Sequence, residues 1–288
     1  MENKNLKWVL LIILSLIWGS SFILIKLGLI GLTAYQVGSC RIIFAAIFLL
    51  LIGFRTLPNI PLHKWKYIVL TAMTGTFVPA FLFSIAETQI DSSVTAILNS
   101  LTPLNTLLIG IVAFGLTANR NQIFGVLIGL VGSSILVFNG ASNHPEQNYY
   151  YAILVIIASI CYAMNVNLVK KHLSGLSPLT ISTGNFAVML IPALIILFST
   201  GFSTISLDQN VVHSLFFIII LGIVGTGIAN IIFFKLIQIS SPVFATSVTY
   251  LIPIVAFFWG LMDNEILSFV QFIGAFIVLI GVYLSSKK

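Results

Sequence analysis

The stretch SLIWGSSFILIK, Ser15–Lys26, returns as SICYAMNVNLVK, Ser159–Lys170, at an offset of 144 residues. In each copy an apolar run carries an aromatic residue (Trp18 or Tyr162), a polar residue one turn on (Ser21 or Asn165) and a closing lysine. The match continues with Gly31–Leu32 over Gly175–Leu176. Farther on, Gly75–Thr76 and Leu101–Pro103 align with Gly225–Thr226 and Leu251–Pro253 at an offset of 150, and QIFGVLIGLVG from Gln122 aligns with QFIGAFIVLIG from Gln271 at 149. Matched blocks in one order mark a duplication, with units at residues 1–143 and 144–288.

Composition sets the solvent. Hydrophobic residues make up 59% of the chain and charged residues 7%, against roughly 25% charged in soluble domains. Apolar runs long enough to cross a bilayer recur along the whole length, so an all-α membrane protein is expected. No small-residue cleavage pattern follows the first run, where Gly28–Ala34 reads GLIGLTA, and that run is expected to be retained. The net charge of +6 does not point to nucleic acid, because no soluble segment is long enough to present a basic face. Cys40 and Cys161 sit in apolar runs without metal-ligand neighbours and read as packing residues.

Apolar stretches separated by turn residues give ten expected spans: Trp8–Leu29, Ala34–Gly53, Tyr67–Ala86, Val94–Phe114, Ile123–Phe138, Tyr149–Val169, Leu179–Phe198, Ser214–Phe234, Val243–Leu261 and Phe269–Leu284. With both termini cytoplasmic, Lys4, Lys7, Arg55, Lys64, Lys66, Arg120, Lys170, Lys171, Lys235, Lys287 and Lys288 all fall inside, as the positive-inside rule requires. Glu87, Asp91, Glu146, Asp208, Asp263 and Glu265 fall outside. Only Lys26 and Arg41 are basic on the outer side. A unit of five spans reverses the orientation of the next, so the repeat is inverted. That symmetry suits alternating access about a midplane site.

The motifs WGSSF and IKLGL in the first span, CRIIFAA in the second, SSVTAILNSLTPL, SPVFATSVTYLIPIVAFFWG and NEILSFVQFIGAFIVLIGV together resemble the drug/metabolite transporter superfamily, specifically proteins of two EamA-type domains. The glutamate that usually precedes the last span of each unit is Glu265 in the second and is replaced by Leu116 in the first. The resemblance implies a bundle of ten helices with a central cavity that exports small metabolites, often amino acids, across a bacterial inner membrane.

Polar side chains in hydrocarbon are retained where they face protein or a water-filled cavity. Thr95, Asn99, Thr102 and Thr106 share one helical face of the fourth span, and Thr246, Thr249 and Tyr250 precede Pro253 in the ninth. Pro103 and Pro253 each free a carbonyl and are candidate hinges. The candidate substrate contacts are Trp18, Ser21, Asn99, Thr102, Tyr162, Asn165, Asn185, Asn230 and Tyr250, with Lys26 and Arg41 as gating or substrate-attracting charges. For any one hydroxyl or amide, helix packing is the competing reading. The GxxxG pair Gly125 and Gly129 reads as close helix packing or a dimer contact, leaving a monomer or weak dimer open.

The expected function is transport of a small neutral or zwitterionic metabolite, with lipid and that solute as the only partners, no cofactor and no metal. A phosphorylated-sugar or nucleotide-sugar exchanger would need more cavity cations than Arg41 and Lys26. An intramembrane enzyme lacks visible apparatus, since His63, His144, His172 and His213 lie in loops or at span ends and no HExxH occurs. A non-transporting scaffold would leave the duplicated halves and the polar faces unexplained.

Overall fold

A computed structural model describes residues 2–90, 92–141, 148–262 and 269–285. Asp91, His144, Glu146, Asp263, Glu265, Lys287 and Lys288 lie outside the described residues. Among the described residues every regular element is helical.

In the first unit α1 (Glu2–Gly19) runs into α2 (Ser21–Gly28), then α3 (Ala34–Gly53), α4 (Trp65–Ala72), α5 (Val78–Ala86), α6 (Ser92–Asn99), α7 (Thr102–Phe114) and α8 (Arg120–Ala141). The second unit runs through α9 (Ala152–Leu168), α10 (Pro178–Ser199), α11 (Gln209–Ile220), α12 (Ala229–Ile239), α13 (Pro242–Thr246), α14 (Val248–Met262) and α15 (Phe269–Ser285). Widened π turns at Met73–Phe77 and Leu221–Ile228 join α4 to α5 and α11 to α12, and another at Val169–Leu173 extends α9. Among the described residues six helical stretches are long and apolar enough to cross a membrane: Asn5–Gly28, Ala34–Asn59, Leu62–Ala86, Ala152–Leu173, Pro178–Ser199 and Gln209–Ile239. The helix expected at Ile123–Phe138 starts earlier, at Arg120, and the one expected at Ser214–Phe234 extends to Gln209–Ile239. Both overrun the apolar run because side-chain capping, as by Asp208 accepting from Val211 N at 2.9 Å, starts a helix in polar sequence.

The fourth and ninth stretches are each two helices. Between α6 and α7 the break falls at Ser100–Leu101, and Pro103 sits in the first turn of α7. Between α13 and α14 it falls at Ser247, so Pro253 lies inside α14 rather than at the break. The reason is local: the Thr246, Ser247 and Thr249 hydroxyls all donate to carbonyls of the preceding turn, at 2.7 to 3.1 Å, and such back-bonding loosens a helix. The carbonyls that the two prolines leave without a helical donor are both filled. Thr102 Oγ1 donates to Asn99 O at 2.6 Å, and Ser100 Oγ reaches from the first unit to Thr249 O at 3.1 Å.

Packing follows the repeat. α3 lies along α10, α8 along α15, α7 against α9, and α14 against α1. A Cβ on Gly281 would stand 2.5 Å from Gly129 N and 2.8 Å from Gly125 O, so the GxxxG of α8 brings in α15 of the same chain. Around the outside, large apolar side chains such as Leu51, Val112, Ile191 and Phe276 are exposed, as a lipid-facing surface requires. The two ends of the bundle differ in charge. One gathers Lys64, Lys66, Lys170 and Lys171, with Tyr67 stacked on His172 at 3.9 Å and Lys64 Nζ 3.6 Å from the Cβ position of Gly175. The other carries Lys26, with Ser214 of α11 tied to Gly31 N and Leu27 O at 3.0 Å each.

Candidate functional site

The site forms where the helices are irregular. A cavity of about 800 Å³, its open mouth included, is bounded by the α1–α2 bend, the two π turns and the breaks at Ser100 and Ser247. At the bend, Ser20 and Ser21 donate to Leu16 O and Ile17 O at 2.8 and 3.0 Å. A widened turn presents carbonyls off the helical ladder, and at or just ahead of the π turns that border the cavity a carbonyl meets a donor from the opposite unit. Trp18 Nε1 donates to Gly225 O at 3.0 Å, and Asn165 Nδ2 donates to Thr71 O, just ahead of the first π turn, at 2.9 Å.

Of the residues expected from the sequence, Trp18, Ser21, Arg41, Asn99, Thr102, Tyr162, Asn165 and Asn230 line this cavity. Asn185, Tyr250 and Lys26 do not. Asn185 is buried with its amide 3.0 Å from Thr71 Oγ1, tying α10 to α4. Tyr250 is fully buried, donates to Val126 O at 3.0 Å and lies over Gly129, so it holds α14 on α8. Lys26 is exposed in the last turn of α2. The stripe on the fourth span is also cut. Asn99 and Thr102 reach the cavity across the break, whereas Thr95 and Thr106 are fully buried, and Thr106 donates to Thr102 O at 2.7 Å.

Two aromatic walls add Phe22, Phe83 and Phe233, which the sequence does not single out, to Trp18 and Tyr162, which it does. Phe22 meets Phe83 at 5.9 Å edge-on and Phe83 lies over Tyr162 at 5.9 Å, while Phe233 meets Trp18 at 4.9 Å. Phenylalanine is common throughout this chain, so its cavity members carry no signal by type. Position supplies one: Phe83 and Phe233 are repeat partners at an offset of 150. Thr76 and Thr226, which belong to one matched block, are further omissions. Thr226 accepts from Arg41 Nε at 2.6 Å and donates to Leu221 O at 3.0 Å.

The electrostatics centre on Arg41. It projects from α3 in the middle of a buried face and is 9% exposed. Its Nε is the only guanidinium nitrogen with a hydrogen-bond partner among the described residues, and no ion pair to it occurs among them. Tyr162 and Glu87 are the titratable groups in electrostatic contact with it. The Tyr162 hydroxyl likewise has no partner among the described residues. Asn230 Nδ2 is spent on Thr226 O at 2.8 Å and Asn165 Nδ2 as above, whereas Asn99 accepts from Thr102 Oγ1 at 3.2 Å through Oδ1 and its Nδ2 has no partner among the described residues. Among the described residues the cavity therefore offers free donors at Arg41, Tyr162, Asn99 and Thr76 and acceptor oxygens at Asn165 and Asn230, with Arg41 the charged one.

The EamA-like transporter family model matches this chain twice, over residues 6–138 and 150–287. The chain belongs to the EamA-like transporter family. It is accordingly a multi-pass membrane protein. Among similar proteins are the uncharacterized inner membrane transporter YedA of Escherichia coli K12, 28% identical over 94% of this chain and 87% of its own, and an uncharacterized transporter of Archaeoglobus fulgidus, 24% identical over 98% and 99%. A probable amino-acid metabolite efflux pump of Escherichia coli K12 is 23% identical over 96% of this chain and 93% of its own. A crystal structure superposes with a TM-score of 0.75 at 13% identity, covering 96% of this chain and 95% of that one, which shows a shared fold.

Proposed function

We propose that this EamA-family protein is a secondary transporter of ten spans in two inverted units, at residues 1–143 and 144–288, with both termini cytoplasmic. It moves a small neutral or zwitterionic metabolite of the amino-acid type out across the inner membrane by alternating access. The efflux-pump relative and the inner-membrane relative support the direction and the location. The lysine-rich end of the bundle supports the orientation, with that end inside.

The observation that carries the proposal is a difference between repeat partners. At an offset of 144, Phe22, Ile25 and Arg41 pair with Val166, Val169 and Asn185. The first three line the cavity; the second three are buried in helix packing. Because the units are opposed, the cavity leans toward the Lys26 end and is sealed toward the Lys170 end. The lysines follow suit: Lys170 Nζ donates to Ile237 O, Gln238 O and Ser240 O at 2.9, 3.1 and 2.7 Å, clasping the end of α12, while Lys26 is exposed. Phe22 touches Phe83, so Lys26 and the turn at 87–90 each lie one turn beyond a contact pair. Exchanging the two clasps would open the cavity to the other side with little change in the number of contacts, and the carbonyl-capping charge would move from one helix end to its mirror.

The test is solute flux in liposomes containing the purified full-length chain, with labelled amino acids, amines and related metabolites offered singly. Saturable flux of at least one solute, accelerated by the same solute on the opposite side, is expected. No flux for any of them would refute transport.

A further inference from the structure

We infer that the transported solute is an organic carboxylate with an apolar or aromatic body, its carboxylate held by the two Nη groups of Arg41 and the hydroxyl of Tyr162. This rests on the reading of the cavity as a transport site and specifies what that site recognises. A guanidinium that is nine-tenths buried and bonded through Nε alone is an incomplete ion site. Removing a cation from water is costly unless its donors are met. Here the anchored Nε fixes the plane of the group, so the remaining face is the end-on fork of Nη1 and Nη2, which matches the two oxygens of a carboxylate.

The anchor is itself oriented. The Thr226 hydroxyl directs its proton to Leu221 O in the π turn, which leaves its lone pairs for Arg41 Nε. The close approach of α3 to that turn needs Gly222, where a Cβ would stand 2.9 Å from Arg41 O. Thr226 is thus a positioning residue for Arg41. Charge points the same way. Among the described lining residues Arg41 is the only charged side chain, with Glu87 in electrostatic contact with it from outside the lining, so an amine lacking a carboxylate would bring a second cation into the cavity whereas a carboxylate would meet the Nη groups. The body of the solute then lies between the Phe22–Phe83–Tyr162 and Trp18–Phe233 walls, an apolar lining with few convergent polar groups. For a zwitterion, the Asn165 and Asn230 oxygens and the ring faces are the acceptors for the ammonium.

The test compares four probes of one shape, 3-phenylpropionate, L-phenylalanine, L-phenylalaninamide and phenethylamine, by direct binding to the purified full-length protein and by uptake into liposomes. The wild type is expected to bind both carboxylates, and to bind the amide and the amine roughly 10- to 100-fold more weakly, the loss of a charge-assisted contact. Arg41→Gln is expected to erase that preference, lowering the carboxylates to the level of the amide. Arg41→Lys keeps the charge but not the fork and guards against a folding failure; it is expected to retain the order of the probes at reduced affinity. Thr226→Val is expected to raise KM for the carboxylates with kcat largely kept, and Thr226→Ser to restore it. Binding of amine or amide as strongly as the carboxylates, no binding of either carboxylate, or unchanged discrimination in Arg41→Gln each overturns the assignment. Flux of the amine or amide without the carboxylates would do so while leaving transport standing, whereas absence of flux for every solute tried removes the transport reading beneath it.

Discussion

Replacing Lys170 with methionine is expected to unseal the buried end of the cavity. The ammonium makes three hydrogen bonds to the last carbonyls around the end of α12, at 2.7 to 3.1 Å, from a half-buried position. One charge-assisted bond nets about 1.5–3 kcal/mol. Three bonds share one cation and the site is partly wet, so the sum is taken as little more than one such bond plus the favourable placement of a cation at a helix C-terminus, about 2–3 kcal/mol together. At about 1.4 kcal/mol per decade, the population open toward that end should rise about 30- to 150-fold. Val166 reports it, being fully buried one turn before Lys170. In a chain with Cys40 and Cys161 replaced by alanine, Val166→Cys should react with a membrane-impermeant maleimide about 30- to 150-fold faster once Lys170→Met is added. Lys170→Arg should react like the parent, and Lys26→Met should not accelerate the reaction. An unchanged rate in a variant that melts at the parent temperature would refute the clasp.

Other consequences concern the bonds that hold the cavity wall. Ser100→Ala leaves Thr249 O without its donor and should lower stability by about 1–3 kcal/mol, read by thermal melting in detergent. Because Pro253 is what frees that carbonyl, the loss should shrink when Pro253→Ala restores the N–H, and a double-mutant cycle that finds the two additive would deny the link. Gly281→Leu should separate α15 from α8 and destabilise by at least about 1–3 kcal/mol, the usual cost of overpacking, with Gly281→Ala intermediate. Tyr250→Phe should lower the melting temperature while leaving KM unchanged, since its hydroxyl serves Val126 O and not the cavity; a raised KM would return Tyr250 to the site.

How far the sequence reaches depends on which physical signal each feature leaves. The α3 and α15 regions are legible because burial in lipid writes an apolar run of helical length, and Thr33 with Gln36 writes a capping box at the start of α3. The duplication is legible at the level of Trp18 over Tyr162 because both copies kept a polar–aromatic pattern that hydrocarbon alone does not demand. The π turns leave no hydropathy signal, since an extra residue in a turn keeps the run apolar, and so the carbonyls that Trp18 and Asn165 cap are invisible before the fold is known. The break at Ser247 is not written by a proline, because a serine–threonine run loosens a helix through hydroxyl bonds, which a proline rule does not count. Asn185 pairs with Arg41 across the repeat, yet pairing does not carry cavity exposure with it: Trp18 and Tyr162 both line the cavity, as do Ser21 and Asn165, whereas Asn185 is held against Thr71 Oγ1 between α10 and α4.

The central claim is that one cavity is reached from the two sides in turn. The most direct measurement is the impermeant-thiol reactivity of Phe22→Cys and Val166→Cys in oriented vesicles, each in the cysteine-replaced chain, with and without a solute shown to be carried. The account predicts that the solute moves the two rates in opposite directions, one falling as the other rises. Rates that move together, or a Val166→Cys that stays unreactive while flux proceeds, would contradict it.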